Sequence, residues 1–143
     1  MNLLLQFATT WAMTGIIWFV QLVQYPSFGE VDAASFPSFH AHHSTTITPI
    51  VAPLMIVEAF TAVTLFWASE GIPRWQLWFG LGLVVLAWAS TFFLQVPLHQ
   101  RLGGGFDSQA WQALVRTNWV RTFAWSARAA LVSYWVARAL RDV

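Results

Sequence analysis

The side chains with the clearest chemical potential are four histidines in two separate stretches of the sequence. His40, His42 and His43 lie close together, and His99 lies far from them along the chain. Neutral imidazole is the commonest metal ligand, and histidine also exchanges protons near neutral pH. If the first stretch is helical, His40 and His43 share one face, and His99 can approach them from another helix. The three side chains together predict a site for Zn, Cu or Fe.

The same histidines allow other interpretations. Two of them, from separate helices, could ligate the iron of a haem or hold another porphyrin-type pigment. Without any cofactor, they could shuttle protons in an enzyme. They could also simply hydrogen-bond lipid head groups and loop carbonyls at a membrane surface. The sequence therefore leaves the cofactor undetermined between a metal ion, a porphyrin and none.

A second candidate group is a carboxylate in an apolar stretch. Glu58 lies near the middle of residues 47–68, which are otherwise almost wholly apolar. A charge at the centre of a bilayer costs at least about 2.5–3.5 kcal/mol, so such a residue predicts a partner and a function. Helical rise places Arg128, in the last apolar stretch, at a similar depth. We predict a buried Glu58–Arg128 ion pair, which either fixes helix register or forms part of a transport or proton path.

The composition is typical of a membrane protein. Of the 143 residues, 57% are hydrophobic and 9% are charged, whereas soluble domains carry about 25% charged residues. The absence of cysteine excludes disulfides and thiolate metal sites, and a net charge of +1 gives no basis for nucleic-acid binding. A helix needs about 20 residues to cross the hydrocarbon core, and four stretches qualify, at about residues 3–25, 46–68, 75–97 and 120–140.

The residues between these stretches predict how the spans are connected. The Ser-Thr-Thr run at 44–46 and Pro49 predict the start of the second helix, and glycines 103–105 predict the end of the third. Residues 26–45 are expected to form an interfacial loop, and residues 108–119 an amphipathic extension of the fourth helix. Short connections favour antiparallel neighbours. The predicted fold is all-α, a single domain forming an integral membrane antiparallel four-helix bundle.

The location follows from the same pattern. The first apolar stretch has no basic residues before it and is longer than the core of a signal peptide, so we interpret it as a retained span. The arginines divide evenly between the two sides of such a bundle, which leaves the positive-inside rule little to act on. We expect the inner (cytoplasmic) membrane of a prokaryote, with both termini in the cytoplasm.

Alternating spans bring one set of polar side chains, including all four histidines, to one side of the bundle. On the third span, Thr91, Gln95 and His99 repeat every four residues and share a face. Polar groups in lipid turn towards the bundle interior, so a cavity is expected near one leaflet. Asn118 and Arg121 would orient a substrate there. The expected cavity lining is Gln21, Tyr25, Thr91, Gln95 and Trp125.

Four short motifs carry a resemblance to a known family. They are Gln24-Tyr25-Pro26-Ser27-Phe28, Phe39-His40, Val96-Pro97-Leu98-His99-Gln100-Arg101-Leu102 and Arg116-Thr117-Asn118-Trp119-Val120-Arg121-Thr122. Over most of its length the chain resembles four-span prokaryotic membrane proteins related to the anthrone-oxygenase-like group. The resemblance implies a four-helix bundle and allows oxidation of a hydrophobic aromatic substrate. It carries functional roles to His40, His99, Asn118 and Arg121.

Three functions fit these residues. The first is a metal- or haem-dependent oxidoreductase acting on a lipophilic small molecule. Its catalytic residues would be His99, Asn118 and Arg121, and His40, His43 and His99 would hold the metal ion or cofactor. The second is an accessory subunit, structural or pigment-carrying, that binds other subunits of a larger redox or photosynthetic membrane complex. The third is a transporter or proton path through the buried ion pair. The lipid bilayer is a partner in all three, and nucleic acid in none.

Overall fold

A computed structural model describes residues 2–68 and 71–141 of the chain. The structure is 90% helical, and no described residue lies in a strand, which confirms the all-α prediction. The four main helices are α1 (Asn2–Glu30), α2 (Phe36–Ala68), α3 (Arg74–Gly103) and α4 (Ser108–Ala139). Within the described ranges, α1, α2 and α3 are long and apolar enough to cross a membrane. Helix α4 carries several arginines, which lower its mean hydropathy.

The connection between the first two helices is shorter than the sequence predicts. Residues 26–45 were expected to form a loop, but only residues 31–35 lie between α1 and α2. The hydroxyls of the 44–46 run do not start a helix. Those of Thr45 and Thr46 donate instead to backbone carbonyls one turn earlier in α2, and Pro49 lies inside the helix rather than at its start.

The start of α2 is organised by Asp32. Its carboxylate accepts hydrogen bonds from the backbone amides of Ala34 and Ser35, and its carbonyl accepts from the amide of Phe36. Hydrogen bonds from the side chain of Ser35 and from these amides hold the pKa of the Asp32 carboxyl below its usual 3.8. Because α2 begins this early, His40 and His43 lie on a helix.

Two helices contain a π-helical turn directly before a proline motif. The turn is Val20–Gln24 in α1, before Pro26, and Thr91–Gln95 in α3, before Pro97. The wider turn accommodates a residue that has no amide hydrogen. It inserts one extra residue, which rotates the following segment by about 100° relative to a regular helix. The side chains after each turn therefore face directions that a regular helical pattern does not predict.

Helix α4 packs against both α1 and α3, and α2 packs against α1 and α3. The buried apolar side chains form two clusters. The larger one is centred on Met13, Ile17, Phe28 and Trp125, and the smaller one comprises Leu65, Leu77, Val132 and Trp135. Between the larger cluster and the start of α2 lies the cavity described below.

Candidate functional site

A cavity of about 620 Å³ lies between α2 and α3, with α1 and α4 forming its back wall. Most of its surface is apolar. The apolar walls include Met13, Ile17, Val20, Val51, Met55 and Trp88. Three lining residues, Ile56, Phe92 and Val96, are exposed on the outer surface, and they belong to α2 and α3. The cavity therefore opens sideways between these two helices.

One end of the cavity is polar, and its side chains form a continuous hydrogen-bonded chain. The Tyr25 hydroxyl lies 2.9 Å from Nε2 of His99, and Nδ1 of His99 lies 2.9 Å from Nε2 of His40. Arg121 Nη2 donates to the Tyr25 hydroxyl over 3.0 Å, so this oxygen already acts as an acceptor. The Tyr25 proton is then free to point at Nε2 of His99, and in the neutral His99 tautomer that accepts it, the proton on Nδ1 points at His40.

The polar end is shielded by aromatic rings. Phe28 is fully buried and its ring packs edge-on against those of His40, His43 and His99, with centroids 5.2–6.3 Å apart. Trp111, on α4, donates from its indole nitrogen to the carbonyl of Tyr25 over 2.8 Å. These contacts hold the histidine rings in place and shield the polar end of the cavity on the α1 side.

The three candidate ligands His40, His43 and His99 come together, but not as a metal site. The rings of His43 and His99 are stacked, with centroids 5.8 Å apart and planes 21° apart. Lone pairs of imidazole lie in the ring plane, so those of two stacked rings do not converge on one point. Both nitrogens of His99 also have hydrogen-bond partners. Within the described ranges, no group of three or more His, Cys, Asp or Glu is placed to hold a metal ion. The metal and haem expectations are therefore not supported.

Asn118 positions the guanidinium of Arg121. Oδ1 of Asn118 accepts from Nε of Arg121 at 2.9 Å and from Nη2 at 2.5 Å. Nδ2 of Asn118 donates to Oε1 of Gln21 over 2.9 Å, and Gln21 Nε2 donates to the carbonyl of Val115. All these atoms lie between α1 and α4. Asn118 thus connects Gln21 to Arg121 through hydrogen bonds.

Four of the five side chains expected in the cavity wall line it: Tyr25, Thr91, Gln95 and Trp125. Gln21 does not, which corrects the prediction. It is buried behind the wall against Asn118. Gln21 lies within the π-helical turn of α1, where its side chain meets Asn118 of α4.

Two polar atoms in the cavity wall have no partner in the described part of the chain. Gln95 is 1% exposed, and its Nε2 donates to Thr117 over 2.9 Å while its Oε1 accepts nothing. The indole nitrogen of Trp88 is also buried without a partner. An unpaired buried polar group is costly. Both atoms are buried, so a molecule in the cavity would pair with them only if the side chains of the wall moved.

The far wall of the cavity is tied to the predicted ion pair. Arg128 Nε donates to Glu58 Oε1 over 3.0 Å, and both side chains are 1% exposed. The indole nitrogen of Trp125, a cavity residue, donates to Glu58 Oε2 over 2.8 Å. Thr10 donates to Oε1 of the same carboxylate over 2.8 Å. Glu58 therefore joins α1, α2 and α4 while Trp125 separates it from the cavity.

Three hydrogen bonds of this network were not expected from the sequence. Arg128 Nη1 donates to the carbonyl of Gly80 over 2.6 Å, which brings α3 into the network. Gln6 donates to Thr10 and accepts from Thr61, so the polar network continues between α1 and α2. The polar residues at positions 6 and 10 lie four apart, and this spacing was a usable signal.

A surface ion pair joins the end of α3 to the start of α4. Arg101 Nη2 lies 2.6 Å from Oδ2 of Asp107, and both side chains are partly exposed. Asp107 is also the N-cap of α4, because its Oδ1 accepts from the amides of Gln109 and Ala110. The hydrogen bond from the Ala110 amide, followed by that from Arg101, lowers the pKa of the Asp107 carboxyl below its usual 3.8.

Comparisons of the chain with protein-family models, with curated proteins and with solved structures find no match.

Proposed function

We propose that the protein is an integral membrane protein, an antiparallel four-helix bundle in a prokaryotic inner membrane, that binds a lipophilic small molecule in the cavity between α2 and α3. The polar head of this molecule would lie against Tyr25, His99 and Arg121. The observation that carries the proposal is the combination of an apolar cavity, open sideways, with a single hydrogen-bonded polar end. Sites for small ligands combine apolar walls with a few converging polar groups in this way.

The outer surface supports the membrane location. Large apolar side chains are exposed along α1, α2 and α3, among them Phe60, Phe79 and Phe93. So many large exposed apolar side chains are unusual on a soluble monomer of this size. Trp67, Trp75 and Trp78 are exposed around the connection between α2 and α3, where an aromatic belt at the membrane surface would lie.

Helix α4 completes the proposed bundle in spite of its arginines. Arg121 and Arg128 are buried against the other helices, whereas Phe123 and Tyr134 are exposed. These two charges of α4 therefore face the protein interior, as ionisable groups within a membrane generally do. The outward face remains apolar enough to contact lipid. A lateral opening then faces lipid, so that a lipophilic molecule could enter the cavity without passing through water.

The chemistry that the polar end supports is proton transfer. A hydroxyl on the bound molecule could give its proton to the Tyr25 oxygen, while Tyr25 passes its own proton to Nε2 of His99. His99 would in turn pass the proton on Nδ1 to Nε2 of His40. The net result is a deprotonated head group beside Arg121 and a protonated His40. His99 is the central residue of this relay, and general acid–base catalysis by histidine needs such positioning.

The binding proposal can be tested on purified protein. Extraction of detergent-solubilised protein with organic solvent, followed by mass spectrometry, would identify a lipophilic molecule at a defined stoichiometry. Ala52 lines the cavity, and Ala52→Phe should fill part of it and remove the molecule. Ile50→Phe, at an exposed position on the same helix, is the matched control. If both variants and the wild type contained equal amounts of the lipophilic molecule, binding in the cavity would be refuted.

The relay is tested separately with His99→Gln. This variant has a polar side chain at position 99 that cannot be protonated. The molecule should therefore still bind, but proton exchange of its hydroxyl through Tyr25 and His99 should be lost. His42→Gln, an exposed histidine on α2, should leave both unchanged. Unaltered proton exchange in His99→Gln would refute the relay and leave the binding proposal in place.

A further inference from the structure

Arg121 is a buried cation with no acidic partner in the described part of the chain. Its side chain is 7% exposed, and the ion pairs formed by the described residues involve Arg101 and Arg128 instead. All the hydrogen-bond partners of Arg121 are neutral side chains. Arginine is almost never buried without a partner, because an unpaired charge loses its hydration. The polar end of the cavity therefore lacks one negative charge.

The donors of Arg121 show where that charge belongs. A guanidinium has five N–H groups. Nε and Nη2 are fully used, because they donate to Asn118 and to the Tyr25 hydroxyl. Nη1 carries two N–H groups, and its one contact among the described residues is a long one of 3.5 Å to the Thr91 hydroxyl. Arg121 and Thr91 both line the cavity. Nη1 is thus the donor available to a bound molecule.

We infer that the molecule bound in the cavity is a lipophilic oxyanion, whose negatively charged oxygen pairs with Nη1 of Arg121. This inference rests on the proposed function and specifies its ligand class. A carboxylate and an ionised phenol share the required chemistry, since each presents a charged oxygen on an apolar body. A charge-assisted hydrogen bond in this dry site is stronger than a neutral one. A neutral molecule of the same shape would leave Arg121 unpaired.

The apolar walls fit the rest of such a molecule. Met13, Ile17 and Trp125 are buried and border the cavity on the α1 and α4 side. The opening between α2 and α3 would admit a chain or ring system from the lipid, with its charged end directed to the histidine end. Arg116 lies on the same helix but is exposed, so its charge is available to solvent and needs no ligand.

The inference can be tested by native mass spectrometry of the full chain in a neutral detergent. The probes are a long-chain fatty acid, its methyl ester, and an alkyl nitrophenol that is ionised at neutral pH. The wild type should bind at least one of the two anions tighter than the ester by a factor of about ten or more. Arg121→Gln should abolish this preference. Arg116→Gln removes the same charge from the exposed side of α4 and should retain it.

The outcomes of this experiment distinguish failure of the inference from failure of the proposed function. A preference for the acid identifies a carboxylate site, a preference for the nitrophenol identifies a phenolate site, and either supports the inference. Equal binding of ester and anions to the wild type, sensitive to Ala52→Phe, overturns the inference and leaves the proposed function intact. Binding of no probe, or binding that Ala52→Phe does not reduce, overturns the proposed function itself.

A variant that does not fold would not block the test. The comparison of acid with ester in the wild type needs no substitution. Arg121→Lys supplies a further check, because it retains the charge but lacks the planar fork that Asn118 holds. It should still prefer the anions, with weaker binding. Loss of the preference in Arg121→Lys together with its retention in Arg121→Gln would contradict a role for the charge.

Discussion

Trp125 and Glu58 are joined by a hydrogen bond of 2.8 Å from the indole nitrogen to Oε2 of the carboxylate. The indole ring faces the cavity, while Glu58 forms its ion pair with Arg128 on the other side. The buried charge pair thus holds one wall of the proposed binding site in place. The sequence suggests an ion pair and a cavity separately, and in the structure Trp125 connects them, because it lines the cavity and donates to Glu58.

The ion pair should couple the two residues energetically. Glu58→Gln and Arg128→Gln each leave a buried charge without its partner, which costs about 3–5 kcal/mol. The double variant removes both charges and should recover part of that loss. Unfolding in a graded series of detergent mixtures would measure the free energies. Strictly additive losses would contradict the direct contact.

The network around the Glu58–Arg128 ion pair should require a glycine at position 80. A Cβ at this position would lie 3.0 Å from Nη1 of Arg128 and 3.1 Å from the ring of Trp135. Gly80→Ala should therefore push Arg128 away from the Gly80 carbonyl and destabilise the protein by about 1–3 kcal/mol.

Gly82 provides the control for this substitution, because a Cβ there would meet nothing within 4 Å. Gly82→Ala should be neutral or slightly stabilising, since alanine favours the helix. Thermal unfolding of both variants would measure the difference. Equal stability of Gly80→Ala and Gly82→Ala would show that Arg128 does not pack closely against Gly80 of α3.

Asp107 should stabilise the start of α4 in a pH-dependent way. Its carboxyl has a folded pKa below the usual 3.8, so its contribution is complete above that value. The contribution is lost as the pH falls through the lower pKa of the folded state. The wild type should therefore lose stability in this acidic range, and Asp107→Ala should lose less there because it lacks the group.

Two variants separate the roles of Asp107. Asp107→Asn keeps an N-cap acceptor but removes the charge that pairs with Arg101, and Asp107→Ala removes both. Asp107→Asn should lie between the wild type and Asp107→Ala in unfolding temperature at neutral pH. An order in which Asp107→Asn is the least stable of the three would contradict the capping role.

The sequence predicts much of this arrangement because helical rise is regular. Depth along the helices was enough to pair Glu58 with Arg128, and the polar stripe of Thr91, Gln95 and His99 does border the cavity. Both predictions depend on the regular rise and spacing of residues along helices. The same reasoning placed His40 and His43 on one face once a helix was assumed.

The remaining differences have local physical causes. Gln21 is buried against Asn118 instead of lining the cavity, and it lies within a π-helical turn that the spacing of a regular helix does not predict. Helix α2 begins early because Asp32 organises its start, whereas the Thr hydroxyls that resemble N-caps in the sequence bond back to the helix. The Asp107 cap could have been predicted from the Asp-Ser step before α4.

The absence of cysteine makes the proposed membrane topology directly testable. Single substitutions Ser38→Cys, Gln109→Cys and Arg141→Cys place a thiol at exposed positions, the first two at the starts of α2 and α4, and the third beyond the end of α4. In an antiparallel bundle the first two positions lie on one side of the membrane and the third on the other. A membrane-impermeant maleimide applied to intact cells should therefore label either the first two or the third, and permeabilised cells should show labelling of all three. Labelling of Gln109→Cys and Arg141→Cys from the same side would mean that α4 does not cross the bilayer, and the buried charges of α4 would then need another explanation.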